Sequence, residues 1–340
     1  MPSDSAGLLR QLIMGFRDTQ MVYVAAKLGL ADRLAEHPKS AGELAQEVDA
    51  HPGALYRVLR ALASLGVMEQ TSDDTFRLAP GGELLRNAAP GSMRNIALLY
   101  GDEWLWRAYG GMLHSVQTGE PAFPAVHGTD FYEFLRMQSE AGATFQAAMD
   151  AFSHAEAEAI LRAYAFDHVH SVVDVGSGRG VLLSAILRMH AQIEGVAFDM
   201  PSVEGECRRA FAENGLTRRA TFVAGNFFRE LPEGRDLYLL KSVLHNWDDA
   251  AASRILQVCR RAMSPGSRLL IIERVIRDDH PSQEAKLFDI NMLVTLGGQE
   301  RTAEEYRALL AQNGFASVGL TATQSAMSIV EATPLTRGEP

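Results

Sequence analysis

Val172-Val173-Asp174-Val175-Gly176-Ser177-Gly178-Arg179-Gly180 is the stretch on which the fold turns. Its first four residues are too apolar to alternate between core and water, the pattern of a strand buried on both faces. Three glycines at alternate positions then let the backbone turn sharply into the helical spacing of residues 181–190. Open parallel sheets bind ligands where a strand hands over to a helix. A dinucleotide fingerprint would require glycine at position 181, which is Val181; the G-x-G-x-G spacing suits a nucleoside ligand without a pyrophosphate. By themselves these residues have a second, less favoured reading as a tight structural turn.

Strand and helix patterns alternate onward from this loop. Strands are expected at 194–198, 221–223, 236–241 and 268–273, and helices at 203–214, 250–263 and 303–313. This alternation implies an α/β fold with a mostly parallel, Rossmann-like sheet covered by helices on both faces. Runs at 318–322 and 325–330 predict an antiparallel hairpin at one sheet edge, and the tail 336–340 is expected to be disordered. Asp199 closes the strand after the glycine loop, about twenty residues on, where a carboxylate can accept both hydroxyls of a ribose. Its competing reading is a helix N-terminal charge ahead of Pro201.

Upstream, Leu8, Leu9, Leu12, Ile13 and Phe16 recur at helical spacing. Ser40 and His51-Pro52 are start signals for two further helices, Gly66 stops the second, and 67–70 and 75–78 flank Asp73-Asp74 as a hairpin. Helices followed by a hairpin make a winged-helix pattern. Such modules often bind DNA, but residues 40–86 carry four basic against seven acidic side chains, and the whole chain of 340 residues has a net charge of −10. Phosphate contacts would be too few, so nucleic acid is not the expected partner, and a packing and dimerisation module is. Residues 93–166 read as helical throughout, with aromatic residues that fill a core or line a pocket for a flat molecule. The domain reading is a winged-helix module at 1–90, a helical pocket region at 91–166 and the sheet domain at 167–334. Cys207 and Cys259 sit in helical segments and give neither a disulfide framework nor a metal cluster, and no His, Cys and carboxylate set has ligand spacing, so no metal is expected. The start of the chain lacks a basic region before an apolar run and no stretch is long enough to span a bilayer, so a cytoplasmic protein with no membrane partner is expected.

The ordered set of motifs resembles the small-molecule O-methyltransferases of the caffeic acid O-methyltransferase type and their bacterial natural-product relatives. It comprises the winged-helix front, 174–180, Phe198-Asp199-Met200-Pro201, Ala224-Gly225-Asn226-Phe227-Phe228, Leu240-Lys241-Ser242-Val243-Leu244-His245-Asn246-Trp247-Asp248-Asp249 and Gly297-Gly298-Gln299-Glu300-Arg301-Thr302. The resemblance covers nearly the whole chain. It implies S-adenosyl-L-methionine as cofactor, a homodimer whose N-terminal helices interlock, and a role in secondary metabolism. Asp174, Gly176, Ser177 and Gly178 would hold the methionine end, Asp199 and Met200 the ribose, and Gly225, Asn226 and Phe227 the adenine, while Lys241 and Ser242 would close the site. The family usually has Asp where this chain has Asn226; an amide oxygen can still meet the adenine amino group. His245 matches the catalytic base, and Glu273 and Glu300 the two acids flanking it.

That assignment makes chemical sense. A phenol with a pKa near ~10 is mostly protonated at neutral pH, and an imidazole near ~6.5 is suited to take its proton as the oxygen attacks. A carboxylate on the other ring nitrogen fixes the tautomer, with Glu273 and Glu300 the candidates and Asp248 and Asp289 behind them. Without the resemblance, His245 is also an ordinary strand-end residue, Lys241 a solvated one, and Trp247 a packing residue against the next helix. For the pocket, Phe131, Phe145, Met149, Phe152, Asn291 and Met292 are the expected wall of a small, mostly aromatic acceptor. Two other functions stay open at this level: a relative that uses the sulfonium only for its charge in hydroxylation, decarboxylation or pericyclic chemistry, and a metabolite-sensing DNA-binding regulator.

Overall fold

The computed structural model describes residues 5–277 and 284–335, so the expectation for the tail 336–340 lies outside the described residues. The chain forms two compact units, one of Met1–Arg107 with Leu135–Ala151, the other of Ala108–Phe134 with Phe152–Pro340.

In the first unit the helices Ala41–Glu47 and Pro52–Ser64 begin where their signals stand. Ser40 and Glu43 satisfy each other's backbone N–H groups in a capping box, and the His51 side chain accepts the Ala54 N–H just ahead of Pro52. Leu30, Leu44, Leu55, Leu59, Leu62, Met68 and Phe76 form the core. Besides the expected hairpin of β2 (Met68–Gln70) and β3 (Thr75–Leu78), a two-residue strand β1 (Lys39–Ser40) pairs with the far side of β3. Two residues are too few for a periodicity to announce. Gly101 lets the helix Arg94–Gly101 lie against Tyr23, since a Cβ there would stand 2.2 Å from the Tyr23 Cβ. The helix Ser5–Met14 buries none of its residues and leaves Leu8, Leu9, Leu12 and Ile13 exposed.

The second unit is built on a seven-stranded sheet in the order β6-β5-β4-β7-β8-β10-β9. Its members are β4 (Ser171–Val175), β5 (Glu194–Asp199), β6 (Ala220–Ala224), β7 (Leu237–Lys241), β8 (Arg268–Glu273), β9 (Phe315–Ala322) and β10 (Ser328–Pro334). The first five are parallel; β10 runs antiparallel to both β8 and β9. Alternate residues of the buried strands feed two cores, Tyr238 and Leu240 packing with Ile255 and Leu256, and Leu237 and Leu239 with Ile186 and Leu187. The order of strands reverses between β4 and β7, so their carboxyl ends, with that of β5, rim the crevice where such sheets take ligands. The last strand starts at Ser328 rather than near Ser325, because Thr323 turns the chain, its N–H and Oγ1 both donating to Met327 O. The region read as helical throughout is divided in this unit by Gly119 and Gly128, both left-handed at helix ends. Cys207 and Cys259 are buried and unpaired. Among the described residues no helix is long and apolar enough to cross a membrane.

Candidate active site

At the end of β4, Gly176, Gly178 and Gly180 all hold left-handed φ values, between 54° and 72°, which side-chain-bearing residues rarely adopt. A Cβ on Gly176 would also stand 2.8 Å from a Val243 methyl. The loop thus brings bare backbone close to the turn that follows β7. Beneath it Asp174 is buried, and burial pushes its carboxyl up to about 7 despite the nearby Lys241 charge. Ser177 Oγ is buried without a hydrogen-bond partner. Asp199 is fixed by its own loop, Oδ2 accepting the Gly178 N–H at 2.7 Å and Oδ1 the Met200 N–H at 2.6 Å. Burial raises its pKa and these two hydrogen bonds oppose the rise. Gly225 lies edge-on to Phe198, whose ring a Cβ would approach to 2.3 Å. Asn226 Oδ1 accepts the Phe228 N–H at 2.9 Å, and Phe227 packs beside Phe228 and Trp247.

Beyond β7 the chain makes one tight turn. Ser242 takes a left-handed φ of 54° and Leu244–Asn246 is a single 3-10 turn, which leaves the N–H groups of Val243, Leu244 and His245 without helical partners. Glu273 Oε1, at the end of β8, accepts all three at 3.0, 3.0 and 3.4 Å. Glu273 therefore holds the turn, and its other oxygen stands 3.5 Å from His245 Nδ1. Glu300 Oε1 is the closer group, 2.7 Å from Nδ1. All three side chains are buried. Burial works to lower the His245 pKa, but the charges of Glu273 and Glu300 and the Glu300 hydrogen bond outweigh it, and the value is raised. Burial likewise drives Glu273 up to about 7. The same three side chains offer three ligand atoms within 4.8 Å of one another, a grouping that sequence spacing hid.

The chain matches the O-methyltransferase domain family over residues 109–316 and the O-methyltransferase dimerisation domain family over residues 10–87. It belongs to the O-methyltransferase family. The phenazine O-methyltransferase PhzM of Lysobacter antibioticus is 42% identical over 97% of this chain and 96% of its own. The crystal structure of LaPhzM superposes with a TM-score of 0.93, covering 97% of this chain and 99% of that one at 42% identity. The neocarzinostatin-biosynthesis O-methyltransferase NcsB1, solved with S-adenosylmethionine and 2-hydroxy-5-methyl naphthoic acid, gives a TM-score of 0.81 at 34% identity, covering 94% and 96%. The relatives include N-methyltransferases, among them phenazine-1-carboxylate N-methyltransferase of Pseudomonas aeruginosa, 34% identical over 91% of each chain.

The cofactor of this O-methyltransferase is S-adenosylmethionine, and the residues at the glycine loop fit it. A tethered carboxylate at Asp199, the unpartnered Ser177 hydroxyl and backbone that bears no side chain of its own at three positions are what a ribose and an amino-acid end require. Lys241 is not the solvated strand end that its position alone allowed. Its side chain is only 10% exposed, and Nζ lies 2.7 Å from Glu156 Oε2. Glu156 also meets Arg274 at 3.1 Å, and Arg274 lies over the rings of Phe288 and Phe152.

The expected pocket residues divide. Phe152, Asn291 and Met292 belong to the catalytic unit, and Met292 is buried. Phe131 also belongs there and is buried against Phe123 and Tyr132. Phe145 and Met149 belong to the first unit. Asp248 caps the helix Asp249–Ala262 by accepting the Ala251 N–H, and Asp289 Oδ1 accepts the Glu300 N–H at 2.8 Å. Trp247 packs edge-on against Phe228, with ring centroids 4.8 Å apart.

Sequence reasoning gave no role to Arg301, Gly298 or Phe288. The buried Arg301 guanidinium donates to Leu244 O, Gln299 O and Trp247 O and pairs with Asp249, clamping the loop of Glu300 to the loop of His245. Gly298 is needed because a Cβ would stand 2.1 Å from His245 O. Phe288 lies parallel to the imidazole at 5.9 Å between ring centroids. A glycine and an arginine flanking Glu300 were the only signal in the sequence.

Proposed function

We propose that this methyltransferase acts on a phenolic hydroxyl of a small aromatic natural product, with His245 as the general base. When bound, the cofactor supplies a methyl carbon activated by an attached sulfonium. The chain's residues then have to orient the acceptor and take its proton. Supporting this reading above all is the 2.7 Å contact between His245 Nδ1 and Glu300. It occupies Nδ1, which carries the hydrogen, and leaves Nε2 as the basic nitrogen. In the displacement that the bound cofactor would supply, with its carbon–sulfur bond breaking as the carbon–oxygen bond forms, the hydroxyl proton would pass to Nε2, and the imidazolium so formed would be stabilised by Glu300 and Glu273.

The cofactor roles are proposed in parallel: Asp199 receives the ribose hydroxyls, Asn226 and Phe227 the adenine, and Ser177 in the glycine loop the methionine end, while Lys241 closes the site. Aromatic acceptors are favoured by the relatives, whose names include phenazine and naphthoate compounds. A base at this position also suits an amine, and an N-methylating relative makes nitrogen the second reading.

The test is His245→Ala, with S-adenosylhomocysteine and a product heavier by one methyl quantified together on a panel of phenols. We expect turnover to fall by about two orders of magnitude or more while cofactor affinity by calorimetry stays nearly constant. Equal loss of both, or no loss of turnover, would refute the role. Acceptor consumed with neither S-adenosylhomocysteine nor a methylated product formed would instead favour a reaction other than methyl transfer.

A homodimer is proposed from the dimerisation family match and from the apolar face of Ser5–Met14, whose leucines are otherwise left in water. Analytical ultracentrifugation should give twice the chain mass, and Leu12→Glu should shift it toward the monomer. A wild-type monomer at micromolar concentration would contradict the proposal.

A further inference from the structure

Arg274 stands one residue past Glu273, just beyond the end of β8, and is buried. Its guanidinium lies over the Phe288 ring, 4.2 Å from the centroid, and over Phe152 at 5.7 Å. Phe288, on the helix Glu284–Thr295, is in turn parallel to the His245 imidazole, with an 8° interplanar angle and 5.9 Å between centroids. The guanidinium is therefore within about 10 Å of the imidazole. Being planar and permanently charged, it can lie on a ring face and still carry its charge at any pH of an assay. Glu156 Oε1 accepts from Arg274 Nη2 at 3.1 Å, while Oε2 is 2.7 Å from Lys241 Nζ. One buried carboxylate cannot neutralise both cations. The other acid near Arg274, Glu284 at 3.8 Å, is 61% exposed and screened by water. Positive charge is thus left in a desolvated place near the base.

His245 is faced by Glu273 and Arg274 from β8 and its end, and by Glu300 from the loop 297–302, where Arg301 is paired with Asp249. The helix Glu284–Thr295 adds Asp289, which accepts the Glu300 N–H. The helix Ala303–Gln312 adds Tyr306, kept a neutral phenol by burial and by the charges of the two glutamates. Two buried carboxylates acting alone would hold the imidazole protonated well above neutral pH, where it could accept no further proton. Arg274 is the cation that works against them at His245. We infer that Arg274 is a positioning residue for the base: through Phe288 it fixes the plane of the imidazole, and through its charge it favours the unprotonated ring. This inference rests on the function proposed above and adds to it the group that balances Glu273 and Glu300.

The test reads His245 directly. Protein with carbon-13 in its histidine rings is titrated by NMR with S-adenosylhomocysteine bound, the His245 signal being the one missing from His245→Ala. Arg274→Gln removes the charge but keeps a planar amide that can donate to Glu156 and lie on Phe288. In it the His245 pKa should rise by about half a pH unit to one pH unit, and the acidic limb of kcat should move upward with it. Arg274→Lys keeps the charge and loses the flat face. Its titration should stay within about 0.3 pH units of wild type while kcat falls roughly three- to tenfold. A His245 pKa that is unchanged or lower in Arg274→Gln would overturn the inference, and so would an Arg274→Lys titration displaced as far as that of Arg274→Gln. If Arg274→Gln does not fold, the opposite change is read in Glu156→Gln, which leaves both cations uncompensated and should lower the His245 pKa; no lowering would again overturn the inference. A titration that moves as expected while the limb of kcat stays in place supports the field of Arg274 and counts against His245 as the base.

Discussion

Replacing Glu300 with Gln removes one charge and leaves the shape of the site nearly intact. The amide oxygen can still accept the Nδ1 hydrogen across the 2.7 Å contact, so the imidazole keeps its tautomer. What is lost is charge assistance in a buried setting. A hydrogen bond to a charged group contributes about 1.5–3 kcal/mol and a neutral one about 0.5–1.5 kcal/mol, a difference of about 1–1.5 kcal/mol for stabilising the imidazolium. That is roughly tenfold in turnover, at ~1.36 kcal/mol per decade. The pH profile gives an independent reading. Wild-type His245 has a raised pKa, so as the proposed base it would be inactivated by protonation at pH values above the ordinary histidine range. Activity should therefore rise with pH through that raised value. Glu300 is one cause of the rise, so Glu300→Gln should move the acidic limb down by about one unit, with Glu273 at 3.5 Å keeping the remainder. Stopped assays of product formation between pH 5 and 9 would measure both effects. An acidic limb that stays in place or moves upward would refute the reasoning, as would a loss of cofactor affinity as large as the loss of turnover.

Glu273→Gln should behave differently, because Glu273 Oε1 ties three backbone N–H groups of the turn. Weakening those bonds should cost about 2 kcal/mol of stability, read as a lower melting temperature alongside reduced turnover; unchanged melting would remove its role as the holder of the turn. Asn226→Asp should tighten S-adenosylmethionine binding by roughly three- to tenfold, since a carboxylate can accept the Phe228 N–H and a ligand N–H more strongly than an amide; weaker binding by calorimetry would argue against adenine recognition there. Exhaustive chelation with EDTA should leave turnover within about twofold of the untreated enzyme. The reasoning is that Glu273 is occupied by backbone donors and Nδ1 by Glu300; activity lost on chelation and restored by a divalent metal would make the trio a metal site.

Much of the catalytic unit was legible in the chain before any coordinates. Mostly apolar runs such as 172–175 and 237–241 belong to strands with both faces covered, and the glycines of the loop after β4 announce a backbone that side-chain-bearing residues rarely adopt. These signals are local, because they depend on the conformational freedom and solvation of neighbouring residues. The capping box at Ser40 and Glu43 is local in the same sense. His245 and Glu273 were readable at strand ends and Glu300 only through the family resemblance, but not their division of labour. Glu273, the residue expected to pair with the histidine as readily as Glu300, is spent on the turn, and Glu300 makes the close contact.

That division arises from the register of β7 against β8, which sets Glu273 under three unpaired N–H groups, and from the Arg301 clamp between two loops more than fifty residues apart. Lys241 with Glu156 and Arg274, and Tyr109 with Asn291, are likewise pairings across distant segments. The sequence by itself determined where the chain must turn, cap and bury apolar surface. Which polar groups meet, and therefore which carboxylate holds a turn and which meets the imidazole, was decided only when the sheet brought remote residues into one desolvated place. A buried charge or hydrogen bond is governed by distances of a few ångströms in space, and those distances have no counterpart in spacing along the chain.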